Sequence, residues 1–333
     1  MASTIDKVAM FCQVETEQVV AVHDVPSTYH VPMVLEKQGL ITSLTKILNL
    51  DKLEIPSKLK LRGATTWEMW KSSTSVQHHS QIVTIALVGK YTSFADSYIS
   101  VIKALEHSAM FCRRKLNLVM VDSSHLEEDD GNTSSIESQK AWEILRKADG
   151  ILVPGGFGTR GSEGIIDTAT YTLEKNIPYL GICFGFQLAA IAFGRKMCNL
   201  ENANSTEIIA DTNNPIIDLL PEQKNETDMG GSLRLGANEI KINQNSLAYK
   251  IYNSDKIFKR HRHRYEFNTK YRDEFLEKGM IFSGESDDGK RMEILEIPSH
   301  KFFLGVQFHP EFNSRPGFPE DAFKTFVTAA SSK

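Results

Sequence analysis

Apolar runs and helix-like segments alternate regularly along residues 82–196. The runs IVTIALVG, LNLVMVD, GILVPGG and IPYLGIC have the length of buried strands, and the segments between them have helical spacing of apolar residues. Strands that alternate with helices in this way predict βαβ units. We therefore predict an α/β fold with an open, mostly parallel sheet and helices on both faces.

The pattern changes on both sides of this region. Residues 1–55 include the helical spacing of VPMVLEKQGLITSLTKILNL but are too few for a core of their own. Residues 56–81 are polar and rich in serine and threonine, so we predict a linker with one short helix around Trp67 to Trp70. After residue 205, shorter strand patterns such as RMEILEI precede a closing helix. We place the main domain at residues 82–330.

Composition and charge narrow the class of protein. A net charge of -4 and a sequence pI of about 6.2 give no reason to expect nucleic acid or a membrane surface as partner. No apolar run approaches the roughly 20 residues of a membrane-spanning helix, and the first residues lack a signal-peptide pattern. The four cysteines form no CxxC pair, so we expect neither a disulfide scaffold nor a metal site. These features together favour a cytoplasmic protein.

One cysteine lies on a tight bend. PYLGICFGFQL places Cys183 between Gly181 and Gly185, where a strand pattern gives way to a helix pattern. The sequence G-x-C-x-G at such a turn is the cysteine counterpart of the nucleophile elbow, and the helix N-terminus favours the thiolate. A buried structural cysteine is the alternative. The two glycines favour the nucleophile, and we expect its sulfur to be exposed above the sheet edge.

A nucleophilic cysteine needs a base, an orienting carboxylate and an oxyanion hole. GVQFHPEF supplies His309 to take the thiol proton and Glu311 to fix the imidazole tautomer. Backbone N–H groups of Gly156, in PGGFG, and of Phe184, directly after Cys183, are the candidate oxyanion donors. The sequence therefore predicts acyl transfer through a cysteine.

Five motifs together resemble the class I (triad) glutamine amidotransferase domain of CTP synthases, which is flavodoxin-like. They are VPGGFGTRGSEG, PYLGICFGFQLA, ENANSTE, RHRHRYE and GVQFHPEF, and the match runs from about residue 82 to residue 328. ENANSTE and RHRHRYE narrow the wider amidotransferase class to CTP synthases. Residues 6–40 are similar to the end of that family's synthetase (amidoligase) domain, and the sequence contains no G-x-x-x-x-G-K-[ST] phosphate loop. We interpret residues 1–55 as a C-terminal remnant of the synthetase domain.

The resemblance implies that Cys183 becomes acylated by glutamine and that ammonia is released, with His309 and Glu311 completing the triad. It implies a glutamine site made of Gly156, Phe184, Gly185, Phe186, Gln187, Glu207 and Arg264. The chemistry of the substrate agrees, because a carboxylate suits its α-ammonium group and an arginine suits its α-carboxylate. A surface salt bridge between Glu207 and Arg264 is the alternative.

GTRGSEG, residues 158–164, resembles the lid loop through which GTP activates the family, with Arg160, Gly161 and Glu163 at its motif positions. An ordinary flexible glycine-rich loop is the alternative. KRHRHR, residues 259–264, has the composition of a nucleic-acid or import patch, which the acidic chain and the strand-like context disfavour.

For the complete enzyme, the resemblance implies ATP with magnesium in the missing synthetase domain and GTP as effector. That domain is the expected partner, in cis or in trans, and the expected assembly is a homo-oligomer, with filaments beyond it. The released ammonia would convert UTP to CTP, and this chain, with no cofactor of its own, would act at most as a glutaminase. Two alternatives stay open: a stand-alone triad glutaminase or hydrolase, and a non-catalytic assembly or regulatory module of the same fold.

Overall fold

The structure is a computed structural model that describes residues 2–74, 81–127, 135–219, 234–286 and 289–332. The chain divides into two units, residues 1–78 and 79–333. The helices are α1 Ala2–Cys12, α2 Val31–Lys37, α3 Leu40–Ile47, α4 Ser57–Thr74, α5 Ile99–Phe111, α6 Ile136–Lys147, α7 Ser162–Lys175, α8 Phe184–Lys196, α9 Leu247–Tyr252, α10 Arg272–Glu277 and α11 Asp321–Ala330. Across the described ranges, none of the helices combines the length and the apolar character needed to cross a bilayer.

The second unit is built on a nine-stranded sheet in the order β2-β1-β3-β4-β12-β11-β10-β7-β8, with a separate sheet β5-β6-β9. The strands are β1 Ile82–Gly89, β2 Lys115–Asp122, β3 Gly150–Val153, β4 Tyr179–Ile182, β5 Ala203–Ser205, β6 Asn214–Leu219, β7 Arg234–Ile242, β8 Lys256–His263, β9 Tyr265–Phe267, β10 Ile281–Ser286, β11 Arg291–Glu296 and β12 Phe303–Val306. Strands β2, β1, β3, β4 and β12 pair in parallel, and β12 to β8 pair antiparallel. The predicted α/β class is confirmed, with the parallel half formed mainly by the regular βαβ stretch.

Strand β1 shows why helices cover both faces of this sheet. Val83, Ile85 and Leu87 belong to one buried cluster together with side chains of α5, α9 and α11. Ala86 and Val88 belong to a second cluster with side chains of α6, α7 and α8. Successive side chains of a strand point to opposite faces, so an unbroken apolar run requires cover on both. The predicted two-faced arrangement is confirmed.

The first unit contains a long helix, α4, where the sequence predicted a linker with one short helix. Its Trp70 indole donates to the carbonyl of Tyr29 at 2.9 Å, and its Trp67 indole donates to Glu36 Oε1 at 2.7 Å. The helix extends beyond the two tryptophans because its lysine, leucine, arginine and alanine residues favour helix without an apolar stripe. The rest of the predicted linker, residues 75–80, lies outside the described residues.

Almost nothing in the first unit is buried. Among its described residues only Ala9 and Thr74 fall in the buried class, while Phe11 is 80% exposed and Leu61 is 70% exposed. This low burial agrees with the expectation that residues 1–55 are too few for a core of their own.

Candidate active site

The nucleophile, its base, the glycine-rich loop and Lys90 lie at the carboxyl ends of four parallel strands. Lys90 follows β1, the glycine-rich residues 154–158 follow β3, Cys183 follows β4, and His309 lies shortly after β12. In an open α/β sheet these ends lie along one edge, where ligands bind. The fold therefore brings together segments that are far apart in sequence.

Cys183 lies on a strained turn between β4 and α8. Its backbone angles are φ 52° and ψ -97°, and its N–H donates to the carbonyl of Val306 at 2.7 Å. A Cβ atom on Gly185 would lie 2.4 Å from the Val153 oxygen, and one on Gly181 would lie 2.6 Å from the Gly185 oxygen. Only glycine fits at either position, so the predicted elbow geometry is present.

The expected exposure of the nucleophile is wrong. Cys183 is only 6% exposed. Its Sγ lies 3.9 Å from the carbonyl oxygen of Arg262, on strand β8, and 3.6 Å from Nε2 of Gln307. Strand β8 belongs to the antiparallel half of the sheet, and the elbow motif contains no information about what packs over it.

The predicted triad residues lie together. Nδ1 of His309 is 2.9 Å from Oε1 of Glu311, and because a carboxylate only accepts, the imidazole donates here. Burial lowers the pKa of His309, but hydrogen bonds and charge interactions with Cys183 and Glu311 outweigh it and raise the pKa to about 10. The imidazole can thus hold a proton between a sulfur and a carboxylate, as a cysteine nucleophile with its base requires.

Both candidate oxyanion donors lie at the elbow. Phe184 is the first residue of α8, so its N–H has no acceptor within the helix. A Cβ atom on Gly156 would lie 3.5 Å from the Phe184 ring, and one on Gly155 would lie 2.9 Å from Cε1 of His309. The glycines of the loop after β3 therefore let the backbone approach the elbow and the imidazole.

Lys90 is a further residue of the site, and none of the sequence motifs indicated it. Its Nζ donates to the carbonyl oxygens of Phe157, at 3.0 Å, and of Gly158, and it lies 4.3 Å from the centroid of the Phe184 ring. Burial lowers the pKa of Lys90 to about 8, against the opposing effect of the Glu207 carboxylate. This side chain ties the glycine-rich loop to the elbow. The available signal was its position, as the first polar residue after the apolar run of β1.

Glu207, one of the predicted ligands of an amino-acid substrate, lies beside the glycine-rich loop. Glu207 Oε1 accepts a hydrogen bond from the N–H of Gly158 at 2.8 Å, and Gln187 Nε2 donates to the carbonyl of Tyr265 at 2.8 Å. Burial raises the pKa of Tyr265, Glu207 adds to this effect and Arg264 opposes it. The charges of Glu207 and Arg264 therefore both act on the same phenol.

Two members of the predicted glutamine site can contribute only through the backbone. The ring of Phe186 is fully buried in the hydrophobic cluster beneath α8. Gly185 has no side chain and packs against β3.

The three predicted lid residues are all attached to neighbouring elements. Arg160 Nη1 lies 3.3 Å from Oδ1 of Asp122, and Gly161 precedes α7 with φ 69°. Glu163, in the first turn of α7, forms two hydrogen bonds with Arg195 at 2.6 and 3.1 Å. In this structure residues 158–161 form a bend and a turn, and the segment enters α7 at Ser162.

A buried histidine pair raises the question of a metal. Ligand atoms of His261, His263 and Glu293 lie within 4.8 Å of one another, the one such group found in the described ranges. Glu293 already pairs with the Arg234 guanidinium and accepts from His261 Nε2 at 2.9 Å. Burial raises the pKa of Glu293, but His261 and Arg234 outweigh it and lower the pKa to about 2. We interpret Arg234, Glu293 and His261 as a buried ion-pair network that joins β7, β11 and β8.

Comparison with protein families gives two matches. A model described as glutamine amidotransferase class-I matches residues 93–329, and a model described as CTP synthase N-terminus matches residues 1–50. The boundary between the two structural units, after residue 78, falls in the gap between the two matches.

Individual relatives agree with these matches. CTP synthase 2 of Xenopus laevis is 46% identical over 330 residues, which are 98% of this chain and 56% of the relative. CTP synthase 1 of Saccharomyces cerevisiae is 44% identical and is covered to 58%. The chain thus spans a little over half the length of these relatives. A solved structure, the Trypanosoma brucei CTPS glutaminase domain with bound acivicin, has a TM-score of 0.69 and 37% identity, with 75% of this chain and 94% of that chain covered.

Proposed function

The chain belongs to the class-I glutamine amidotransferases and, within them, to the CTP synthases, and from this premise we propose that its second unit hydrolyses glutamine to glutamate and ammonia. The observation that carries the proposal is the arrangement of Cys183 on a strained elbow with the His309–Glu311 pair beside it. The same arrangement gives each residue a role in the reaction.

In the first half-reaction, His309 holds the proton of the Cys183 thiol, and the thiolate attacks Cδ of glutamine. The S–C bond forms, the C–N bond breaks, and His309 gives its proton to the leaving nitrogen, which departs as ammonia. In the second half-reaction, water attacks the γ-glutamyl thioester while His309 takes a proton from it. The C–S bond breaks, the thiolate returns, and the glutamic acid product ionises to glutamate.

The oxyanion that forms on the amide oxygen would accept hydrogen bonds from the backbone N–H groups of Gly156 and Phe184. Removal of one such donor costs about 3 kcal/mol of transition-state stabilisation in well-studied hydrolases. Lys90 supports this part of the site, because it holds two carbonyl groups of the loop and lies against the Phe184 ring.

We propose that glutamine is recognised by two side chains of opposite charge, one for each charged group on its α-carbon. Glu207 would bind the α-ammonium group and Arg264 the α-carboxylate, with Gly185, Phe186 and Gln187 completing the site. The hydrogen bond of Glu207 to Gly158 supports this role, because it holds the carboxylate beside the loop that follows β3.

In the complete protein, the ammonia would serve the ATP-dependent amination of UTP to CTP. ATP and magnesium would bind the synthetase domain, and GTP would activate hydrolysis through Arg160, Gly161 and Glu163. We propose that residues 1–55 are the end of that domain and that its remainder, in cis or in trans, covers the apolar side chains that the first unit exposes. The match of residues 1–50 to the CTP synthase N-terminus supports this assignment. A homo-oligomer, and filaments built from it, belong to the same proposal.

The test uses acivicin, which is bound in the T. brucei glutaminase domain. Incubation of the whole chain with acivicin should label Cys183, identified on its peptide by mass spectrometry, and glutamine should protect it. Ammonia release from glutamine should be measured with and without GTP. The matched control is Cys112→Ala, which removes a half-buried cysteine outside the site and should leave labelling unchanged. Absence of both labelling and ammonia release would favour a non-catalytic module.

A further inference from the structure

Gln307 directs its side-chain amide at the sulfur of Cys183. It follows β12, two residues before His309, and is fully buried. Its Nε2 lies 3.6 Å from Sγ, a separation suited to an N–H donor and the larger sulfur atom. The sulfur therefore has a polar neighbour in addition to the imidazole.

A second glutamine fixes which end of the Gln307 amide faces the sulfur. Gln187 Nε2 lies 2.8 Å from the carbonyl oxygen of Tyr265 and 3.2 Å from Oε1 of Gln307. A backbone carbonyl only accepts, so the nitrogen of Gln187 must face it, and the same NH2 group then donates to the oxygen of Gln307. The remaining end of Gln307, its NH2 group, faces Cys183. The orientation thus follows from a backbone group, which cannot be flipped.

We propose that Gln307 is a second hydrogen-bond donor to the Cys183 thiolate, held in that orientation by Gln187. The proposal rests on the proposed function of Cys183 as the nucleophile. Gln307 touches the reacting atom and is a catalytic residue in this sense, whereas Gln187 acts through it and is a positioning residue.

The chemistry of the sulfur explains what such a donor contributes. The negative charge on Sγ exists before attack, disappears in the thioester and returns when the C–S bond breaks. Hydrogen bonds to a charged acceptor are about twice as strong as neutral ones, and a buried site has little water to replace them. The amide should therefore favour formation of the thiolate and its departure from the thioester. It makes no direct contribution to proton transfer, which belongs to His309.

A purely structural role for the two glutamines makes a different prediction. Buried side-chain amides are normally hydrogen-bonded. The hydrogen bonds between the two glutamines could therefore serve only to satisfy their own polar groups. In that case, substitution of Gln307 would change the stability of the protein but not the pH at which Cys183 becomes reactive.

The experiment measures the alkylation rate of Cys183 by iodoacetamide against pH, on the Cys183 peptide of the whole chain and without glutamine. Gln307→Met keeps the side-chain length but removes the donor, and it should move the midpoint of the profile upward by about one pH unit. Gln307→Glu adds a negative charge beside the sulfur and should move it further. Gln187→Met should give a smaller upward shift. The matched control, Gln244→Met, changes an exposed glutamine and should leave the midpoint in place.

Ammonia release provides the second readout. Gln307→Met should lower kcat about tenfold below the midpoint, with KM little changed, and a higher pH should restore most of the loss. A midpoint of Gln307→Met equal to that of the wild type overturns the proposal, because the charge of Gln307→Glu would shift the midpoint in either case. If thermal unfolding shows that Gln307→Met does not fold, Gln187→Met decides in its place, and an unchanged midpoint there overturns it. A wild-type chain that releases no ammonia but shows the shifts refutes the proposed function and keeps this inference.

Discussion

The two units of the chain differ in how they treat apolar side chains. In the second unit, residues such as Leu304 and Phe323 are fully buried between the sheet and its helices. In the first unit, helices of similar apolar content leave side chains such as Leu61 and Phe11 exposed. The second unit therefore has the hydrophobic burial that stabilises an independent fold, and the first does not.

This difference explains where the chemistry can reside. The backbone strain at Cys183 persists only if the surrounding structure over-determines it, and the sheet edge with its packed helices does so. The first unit has no comparable packed structure to hold a strained residue. Its exposed apolar surface is suited to contact with another domain or protein.

The largest effect is expected for Cys183→Ala. Without the thiolate no thioester can form, so ammonia release should fall by about ten-thousand-fold or more. Cys12→Ala, which changes an exposed cysteine of the first unit, should leave the rate unchanged. The steady-state rate of ammonia release from glutamine is measured for both variants. Appreciable turnover by Cys183→Ala, or its loss in Cys12→Ala, would contradict the assignment of the chemistry to the second unit.

A core leucine should separate the two units in stability. Leu304→Ala in β12 leaves a cavity in a packed region and should lower the free energy of unfolding by about 2–5 kcal/mol. Leu61→Ala in α4 removes an exposed side chain and should change it by less than about 0.5 kcal/mol. Urea unfolding of the whole chain compares the two variants. Equal losses would mean that the first unit has a core after all.

The effector response should also belong to the second unit. If GTP acts through the segment around Arg160, then Arg160→Ala should reduce GTP activation about tenfold, because it removes a charged hydrogen-bond donor. Basal turnover should fall less. Arg62→Ala, an exposed arginine of α4, is the control and should alter neither value. The rate of ammonia release is measured with and without GTP for both variants. An equal loss of basal and GTP-activated turnover in Arg160→Ala would contradict a role of Arg160 in the GTP response.

Sequence patterns anticipated the parts of the molecule that are determined locally. The apolar runs predict the parallel strands, and the short motifs around Cys183 and His309 predict the triad, because each motif contains its own turn geometry. The partners of the nucleophile are different. Gln187 and Gln307 are 120 residues apart, and only the folded sheet brings them together. The same reason explains why the burial of Cys183 under β8 was not anticipated.

The length of helix α4 was underestimated for a local reason, not because of contacts between distant residues. Its residues favour helix, but their apolar members are not arranged on one face, so the periodicity that identifies a packed helix is weak. The structure shows that the helix is held by individual contacts, such as the Trp70 indole bond to Tyr29. Helix propensity together with these contacts thus accounts for α4, and hydrophobic periodicity alone cannot find it.

The smallest effect is expected for Gly63→Ala, in the middle of α4. A Cβ atom there would meet nothing within 4 Å, so the substitution adds no clash and removes the flexibility of glycine from the unfolded chain. It should stabilise the first unit by about 0.5–1 kcal/mol. Gly185→Ala in α8, where the Cβ atom would lie 2.4 Å from the Val153 oxygen, should instead destabilise the second unit and impair turnover. Urea unfolding followed by tryptophan fluorescence in a Trp142→Phe background reports on the first unit, since the other two tryptophans, Trp67 and Trp70, lie in α4. If Gly63→Ala lowered the free energy of unfolding as much as Gly185→Ala, helix α4 would have to be packed as tightly as α8. The contrast between the two units would then not hold.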